Sequence, residues 1–140
     1  MITTMSRRSR AREVVLQLLY QDDLNPAPDI EAIEAFLRAR LNNREDLIDF
    51  ARDLRRGVRA NREELDALLQ ERAANWSLAR MAATDRNILR LGAFEILHTD
   101  APSRVAINEA VELAKRYGAK QSPQFVNGIL DRVLHDLKEE

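Results

Sequence analysis

Residues 6–24 read Ser-Arg-Arg-Ser-Arg-Ala-Arg-Glu-Val-Val-Leu-Gln-Leu-Leu-Tyr-Gln-Asp-Asp-Leu, and two unlike surfaces are written into them. Val14, Val15, Leu18 and Leu19, with Ala11 a turn earlier, recur at the spacing that lays one apolar stripe along a helix. The stripe predicts an amphipathic helix from Ser6 to about Leu24, docked on a core. At about 100° per residue, Leu16, Tyr20 and Leu24 fall on another side as a second, narrower apolar row, so the helix is expected to serve two neighbours. Its start carries Arg7, Arg8, Arg10 and Arg12. Cations there oppose the positive end of the helix dipole, which favours Asp or Glu, so something other than helix stability put them in place. Exposed N–H groups at a helix start and arginine forks both suit phosphate. On this cluster alone two readings stay open, an RNA or DNA backbone contact and a disordered, solubilising basic tail.

The rest of the chain sets the context. A length of 140 residues makes one ordinary domain, long enough to bury a core without disulfide or metal staples. With 45% hydrophobic residues, only four Gly, four Pro and 5% aromatics, the composition reads as all-α. The absence of cysteine removes disulfides and thiolate metal sites. Residues 1–5 lack the apolar run of a signal peptide and are expected to be disordered. Nowhere do about 18 apolar residues run together, and a soluble, cytoplasmic protein that does not enter a membrane is expected. The net charge of −1 hides an asymmetry, since the first dozen residues hold four Arg and no acid, leaving 18 basic against 23 acidic side chains elsewhere. A basic tip on a mildly acidic body suits a local nucleic-acid contact rather than a general coating.

Outward from the first helix, Asn25-Pro26-Ala27-Pro28-Asp29 is a stop. A second helix starts near Asp29 with Ile30, Ile33, Phe36, Leu37 and Leu41 at helical spacing, and Asn42-Asn43 ends it. A third, about 44–58, turns Leu47, Phe50, Ala51, Leu54 and Val58 inward. Asn61 caps a fourth, with Leu65, Leu68 and Leu69 apolar. Arg52, Arg55, Arg56 and Arg59 share one side of helix three; with Asp49, Asp53 and Glu63 close in sequence, an ion-paired face is the favoured reading over a second nucleic-acid patch. Residues 75–81 are irregular and lead to Thr84, a predicted N-cap with Asp85 in the first turn. Ile88, Leu89, Leu91, Ala93, Phe94, Ile96 and Leu97 leave that helix hardly any polar side, the mark of an enclosed helix, and Trp76 is predicted to pack in the bend as its lid. Ser103 or Asn108 caps the next helix, which runs to Tyr117 with Gly118 as its C′ residue. Ser122-Pro123 opens the last, from Pro123 to about Lys138. Gly128 in its interior predicts a close helix crossing.

Catalytic constellations are missing from the pattern. Gly57, Gly92, Gly118 and Gly128 are too far apart for a phosphate loop. His98 and His135 are single, without a second metal ligand at helical spacing. Glu109 with Glu112 reads as a solvated helix face. No enzymatic activity and no cofactor are expected.

Four blocks carry a resemblance: Arg8-Ser9-Arg10-Ala11-Arg12-Glu13 with Gln17 and Leu19-Tyr20; Asn75-Trp76 with Asp85-Arg86-Asn87-Ile88-Leu89-Arg90; Val105 to Lys115, reading Val-Ala-Ile-Asn-Glu-Ala-Val-Glu-Leu-Ala-Lys; and Phe125-Val126-Asn127-Gly128-Ile129-Leu130-Asp131. In this order, over nearly the whole chain, they are similar to the NusB family of bacterial transcription antitermination factors. The resemblance implies an all-α fold of about seven helices in two packed bundles, forming a single domain over 1–140. It further implies binding of the single-stranded boxA element of nascent RNA, in ribosomal RNA operons especially, together with the small-subunit ribosomal protein NusE. The pair joins NusA, NusG and RNA polymerase to suppress termination.

By position, the resemblance assigns RNA contacts to Arg8, Arg10 and Arg12, with Arg7 just outside the pattern. Ser9 stands where many relatives have another basic residue, which implies one phosphate contact fewer. A second RNA-facing segment maps to Tyr117, Gly118, Lys120, Gln121, Ser122 and Gln124, where Gln121 replaces the Asp of some relatives. The NusE surface maps to Tyr20 and Asp85, with Leu16 and Leu24 beside Tyr20 on the second apolar row. Two rivals stay open: a helical module related to the targeting domain of ribosomal RNA cytosine methyltransferases, and a protein-interaction module that no longer binds RNA. A homodimer that covers the arginines in the free state is also left open.

Overall fold

Each helix starts and stops where local chemistry dictates. The computed structural model describes residues 6–138, and the expected disorder of residues 1–5 lies outside them. The described residues form seven α-helices and no strand: α1 Arg7–Leu24, α2 Ile30–Arg40, α3 Glu45–Ala60, α4 Arg62–Ala73, α5 Ala83–His98, α6 Ser103–Tyr117 and α7 Ser122–Lys138, with a short 3-10 turn at Leu78–Arg80. They divide into two compact units, the boundary falling between Arg56 and Gly57 inside α3.

In the first unit, Ser6 caps α1 by accepting a hydrogen bond from the Ser9 N–H at 3.1 Å. Asp29 caps α2 by accepting from Ala32 at 3.2 Å, and Asn42 and Asn43 end it at φ of 53° and 57°, a region asparagine tolerates. The core holds Val14, Val15, Leu18 and Leu19 from α1, then Leu37, Leu41, Leu47, Ile48, Ala51 and Leu54. The apolar row expected of α2 is only partly inward, since Ile30 is exposed while Ile33 and Phe36 are half-buried. Two ion pairs stiffen the unit. Arg55 forks onto Asp22 at 2.8 and 3.0 Å, and Arg52 forks onto Glu34 at 2.7 and 2.8 Å while also reaching Asp49. The hydrogen bonds from Arg52 hold the Glu34 carboxyl below its usual range. The ion-paired reading of the helix-three arginines therefore fits Arg52, while Arg55 is buried against α1 instead of lying on a solvated face.

In the second unit, α5 is the enclosed helix its sequence predicts, with every residue from Asn87 to Ile96 buried. Burying Arg90 is possible because its guanidinium forks onto Asp66 at 2.7 and 2.9 Å and donates to Asn87 at 3.0 Å. The irregular stretch before α5 is clamped by Gln70, which accepts from the Leu78 N–H and donates to the Trp76 carbonyl. Trp76 is no lid: it is 62% exposed and packs edge-to-face with Phe125, ring centres 5.3 Å apart. Thr84 is no cap either, since α5 already begins at Ala83. Gly118 ends α6 in extended backbone, and glycine is needed there because a Cβ would meet Ser122 and the Ala114 carbonyl at 2.5–2.8 Å. Ser122 lies inside α7, and its hydroxyl turns back to accept from the Ala119 N–H at 2.9 Å.

The close crossing expected at Gly128 is absent, because a Cβ built there meets nothing within 4 Å. The crowded helix-interior glycines are instead Gly92, where an added Cβ would lie 2.6 Å from Leu130, and Gly57, where it would meet the Phe94 ring. Gly128→Ala is therefore expected to stabilise the protein by about 0.5–1 kcal/mol through helix propensity alone. A higher urea midpoint at unchanged denaturant slope checks this; a lower midpoint contradicts it.

Candidate nucleic-acid and partner surfaces

The start of α1 has no acidic residue in its first turn, so its arginines are held by other groups. Arg10 donates to Glu13 at 3.0 Å, and that carboxylate is largely buried. The guanidiniums of Arg8 and Arg12, four residues apart on one side of α1, lie over the ring of Phe50 at 4.6 and 5.3 Å from its centre. Arg7 and Arg8 are exposed and Arg10 half-buried. Arg12 is 3% exposed, so its charge sits under the tip. The second row divides in the same way. Leu16 is buried in the interior and cannot meet a partner directly, while Tyr20 and Leu24 stand 42% and 72% exposed one turn apart. Leu24 also edges a groove whose far wall is Ala32, Ile33 and Phe36 of α2.

In the second unit the turn between α6 and α7 presents Lys120, Gln121 and Gln124 to solvent, with Tyr117 exposed at the end of α6. Ser122 is buried: besides accepting from the Ala119 N–H, its hydroxyl donates to Asp85 Oδ2 at 3.0 Å. Asp85 Oδ1 is buried with no hydrogen-bond partner among the described residues. Asp85, Gln121 and Ser122 thus come together on a cleft of about 640 Å³ whose other walls include Trp76, Arg80 and Phe125. Residues assigned separately to RNA and to the partner share this cleft. Phe50, Trp76 and Arg80 were missed by the sequence reading. Phe50 fits the apolar period of α3, and Trp76 fits a packed bend, so neither signals a surface role in the sequence.

The chain superposes on the solved structure of T. maritima NusB with a TM-score of 0.81 and 37% identity, covering 96% of this chain and 94% of that one. It also superposes, with a TM-score of 0.81 and 26% identity over 95% and 99% of the two chains, on a chain from the crystal structure of antitermination factors NusB and NusE in complex with dsRNA. In sequence it is 46% identical over 132 residues to the transcription antitermination protein NusB of Anaeromyxobacter dehalogenans, covering 94% of this chain and 93% of that protein. To the Myxococcus xanthus NusB it is 47% identical over 133 residues, covering 92% and 95%. The NusB family model matches residues 9–135. The chain belongs to the NusB family of transcription antitermination factors. No helix among the described residues is long and apolar enough to cross a membrane.

Proposed function

We propose that the chain acts without catalysis, in the cytoplasm, by binding boxA-type single-stranded RNA of ribosomal RNA operons as a heterodimer with NusE. The pair then joins NusA, NusG and RNA polymerase. The observation that carries the reading is the exposed start of α1, where Arg7, Arg8 and Arg10 occupy a first turn that holds no acid. These arginines supply phosphate contacts, which position the strand, while Tyr117, Lys120, Gln121 and Gln124 meet bases and backbone at the second segment. Arg12 and Ser122 support those residues from beneath. Tyr20 and Leu24 of the first unit contact NusE, with Leu16 fixing the helix under Tyr20, and Asp85 of the second unit is a separate NusE contact. The crystallised relative with NusE and dsRNA supports pairing the two ligand types.

A salt titration tests the reading. Each phosphate contact to a single strand contributes about −0.7 to the slope of log K against log salt concentration. Replacing Arg7, Arg8 and Arg10 together by Ala is therefore expected to flatten the slope by about 2 for a boxA oligonucleotide, with the helical circular dichroism retained. An unchanged slope would remove the arginines from the RNA contact.

A further inference from the structure

Phe50 belongs to no RNA-contact or partner assignment, yet it is the ring over which two of the four tip arginines lie. The arrangement follows from helical spacing: Arg8 and Arg12 are one turn apart, so both reach the same point on α3. Arg12 is buried and Phe50 half-buried, which fixes the ring and one cation, while Arg8 stands at the exposed edge. A guanidinium over a ring face is held by the ring's negative potential. That contact uses none of its five N–H donors, so the fork stays able to grip a phosphate. A lone arginine at a helix start would instead swing through many rotamers and be repelled by the helix dipole.

We propose that Phe50 is a positioning residue for RNA binding: it holds the Arg8 guanidinium over its ring, ready to take a backbone phosphate. The proposal rests on the phosphate-contact reading of Arg8. Its physical content is preorganisation, in which the ordering of the Arg8 side chain is completed before the RNA arrives. Loss of the ring therefore weakens binding without removing the charge.

The test measures the affinity of a fluorescently labelled single-stranded boxA oligonucleotide, at several salt concentrations, for the full chain and its variants. Phe50→Leu is expected to weaken binding by about two- to tenfold, the range for one immobilised side chain, at an unchanged salt slope. Phe50→Tyr, which keeps the ring, is expected to restore affinity. In an Arg8→Ala background, Phe50→Leu is expected to cause no further loss. Should Phe50→Leu fail to fold, a fluorinated phenylalanine at position 50 keeps the shape but withdraws the ring's negative face; it is expected to weaken binding over the same range with the melting temperature retained. Full affinity in Phe50→Leu or in the fluorinated protein, or a loss additive to that of Arg8→Ala, would overturn the proposal while leaving the phosphate reading intact. An Arg8→Ala variant with wild-type affinity and slope would overturn both.

Discussion

Asp22→Ala is expected to destabilise the protein by about 3–5 kcal/mol, the cost of stranding a buried charge. Asp22 and Arg55 join α1 to α3 through two hydrogen bonds of 2.8 and 3.0 Å, and their side chains are only 10% and 8% exposed. Truncating Asp22 leaves the Arg55 guanidinium without its carboxylate in a place water barely reaches. Chemical denaturation gives the measurement, and a loss of this size lowers the melting temperature by on the order of 10 °C. Two companions show that burial, and not pairing as such, sets the size. Exchanging both partners for Leu and Met is expected to recover most of the stability, because an apolar pair does not have to be desolvated. Arg38→Ala breaks a pair with Glu45 of comparable length, 2.6 Å, but its side chains are 44% and 64% exposed; a change under about 1 kcal/mol is expected there. Equal losses in Asp22→Ala and Arg38→Ala would refute the distinction.

The second large effect is expected at Gly57. The three atoms nearest a Cβ added there are Cζ, Cε1 and Cε2 of Phe94, so the ring points its tip at the glycine. Phe94 is 8% exposed and lies against the His98 ring at 5.4 Å. The ring cannot bend, and rotating it away requires neighbours in a filled interior to move. Gly57→Ala is accordingly expected to cost about 1–3 kcal/mol of overpacking, outweighing the gain of up to about 1 kcal/mol that alanine brings to a helix interior. Phe94→Leu in the same chain shortens the obstructing side chain and is expected to recover part of the loss. The opposite signs expected for Gly57→Ala and Gly128→Ala make the comparison decisive in one set of urea melts.

Those two glycines also show how far the sequence could be read. All seven helices were legible because apolar periodicity and the Pro and Gly breaks between helices are local properties. The partners of buried groups were not. Arg55 looked solvated because acids sat a turn away from it, whereas its carboxylate is 33 residues distant on α1. Gly128 looked crowded because glycine is costly inside a helix, yet helical arithmetic puts it about 200° from Val126, away from the stripe formed by Val126, Ile129, Leu130 and Val133. The same arithmetic applied to α1 separated Leu16 from the core stripe, but α1 is buried continuously from Ala11 to Leu16. An amphipathic pattern marks the minimum that must be covered and does not limit what is covered. At the candidate surfaces the residue types were legible and their depth was not: Arg12, Leu16 and Ser122 lie buried.

The acid-free first turn of α1 has one more consequence. Each Asp or Glu placed there would favour the helix by about 0.3–1 kcal/mol at low ionic strength, so this segment sits away from its own stability optimum. Selection for robustness alone would erase the arginines; on the proposed phosphate role, selection for the RNA contact keeps them. The opening of α1 is thus a standing trade-off, a place where a more durable protein would be a poorer binder.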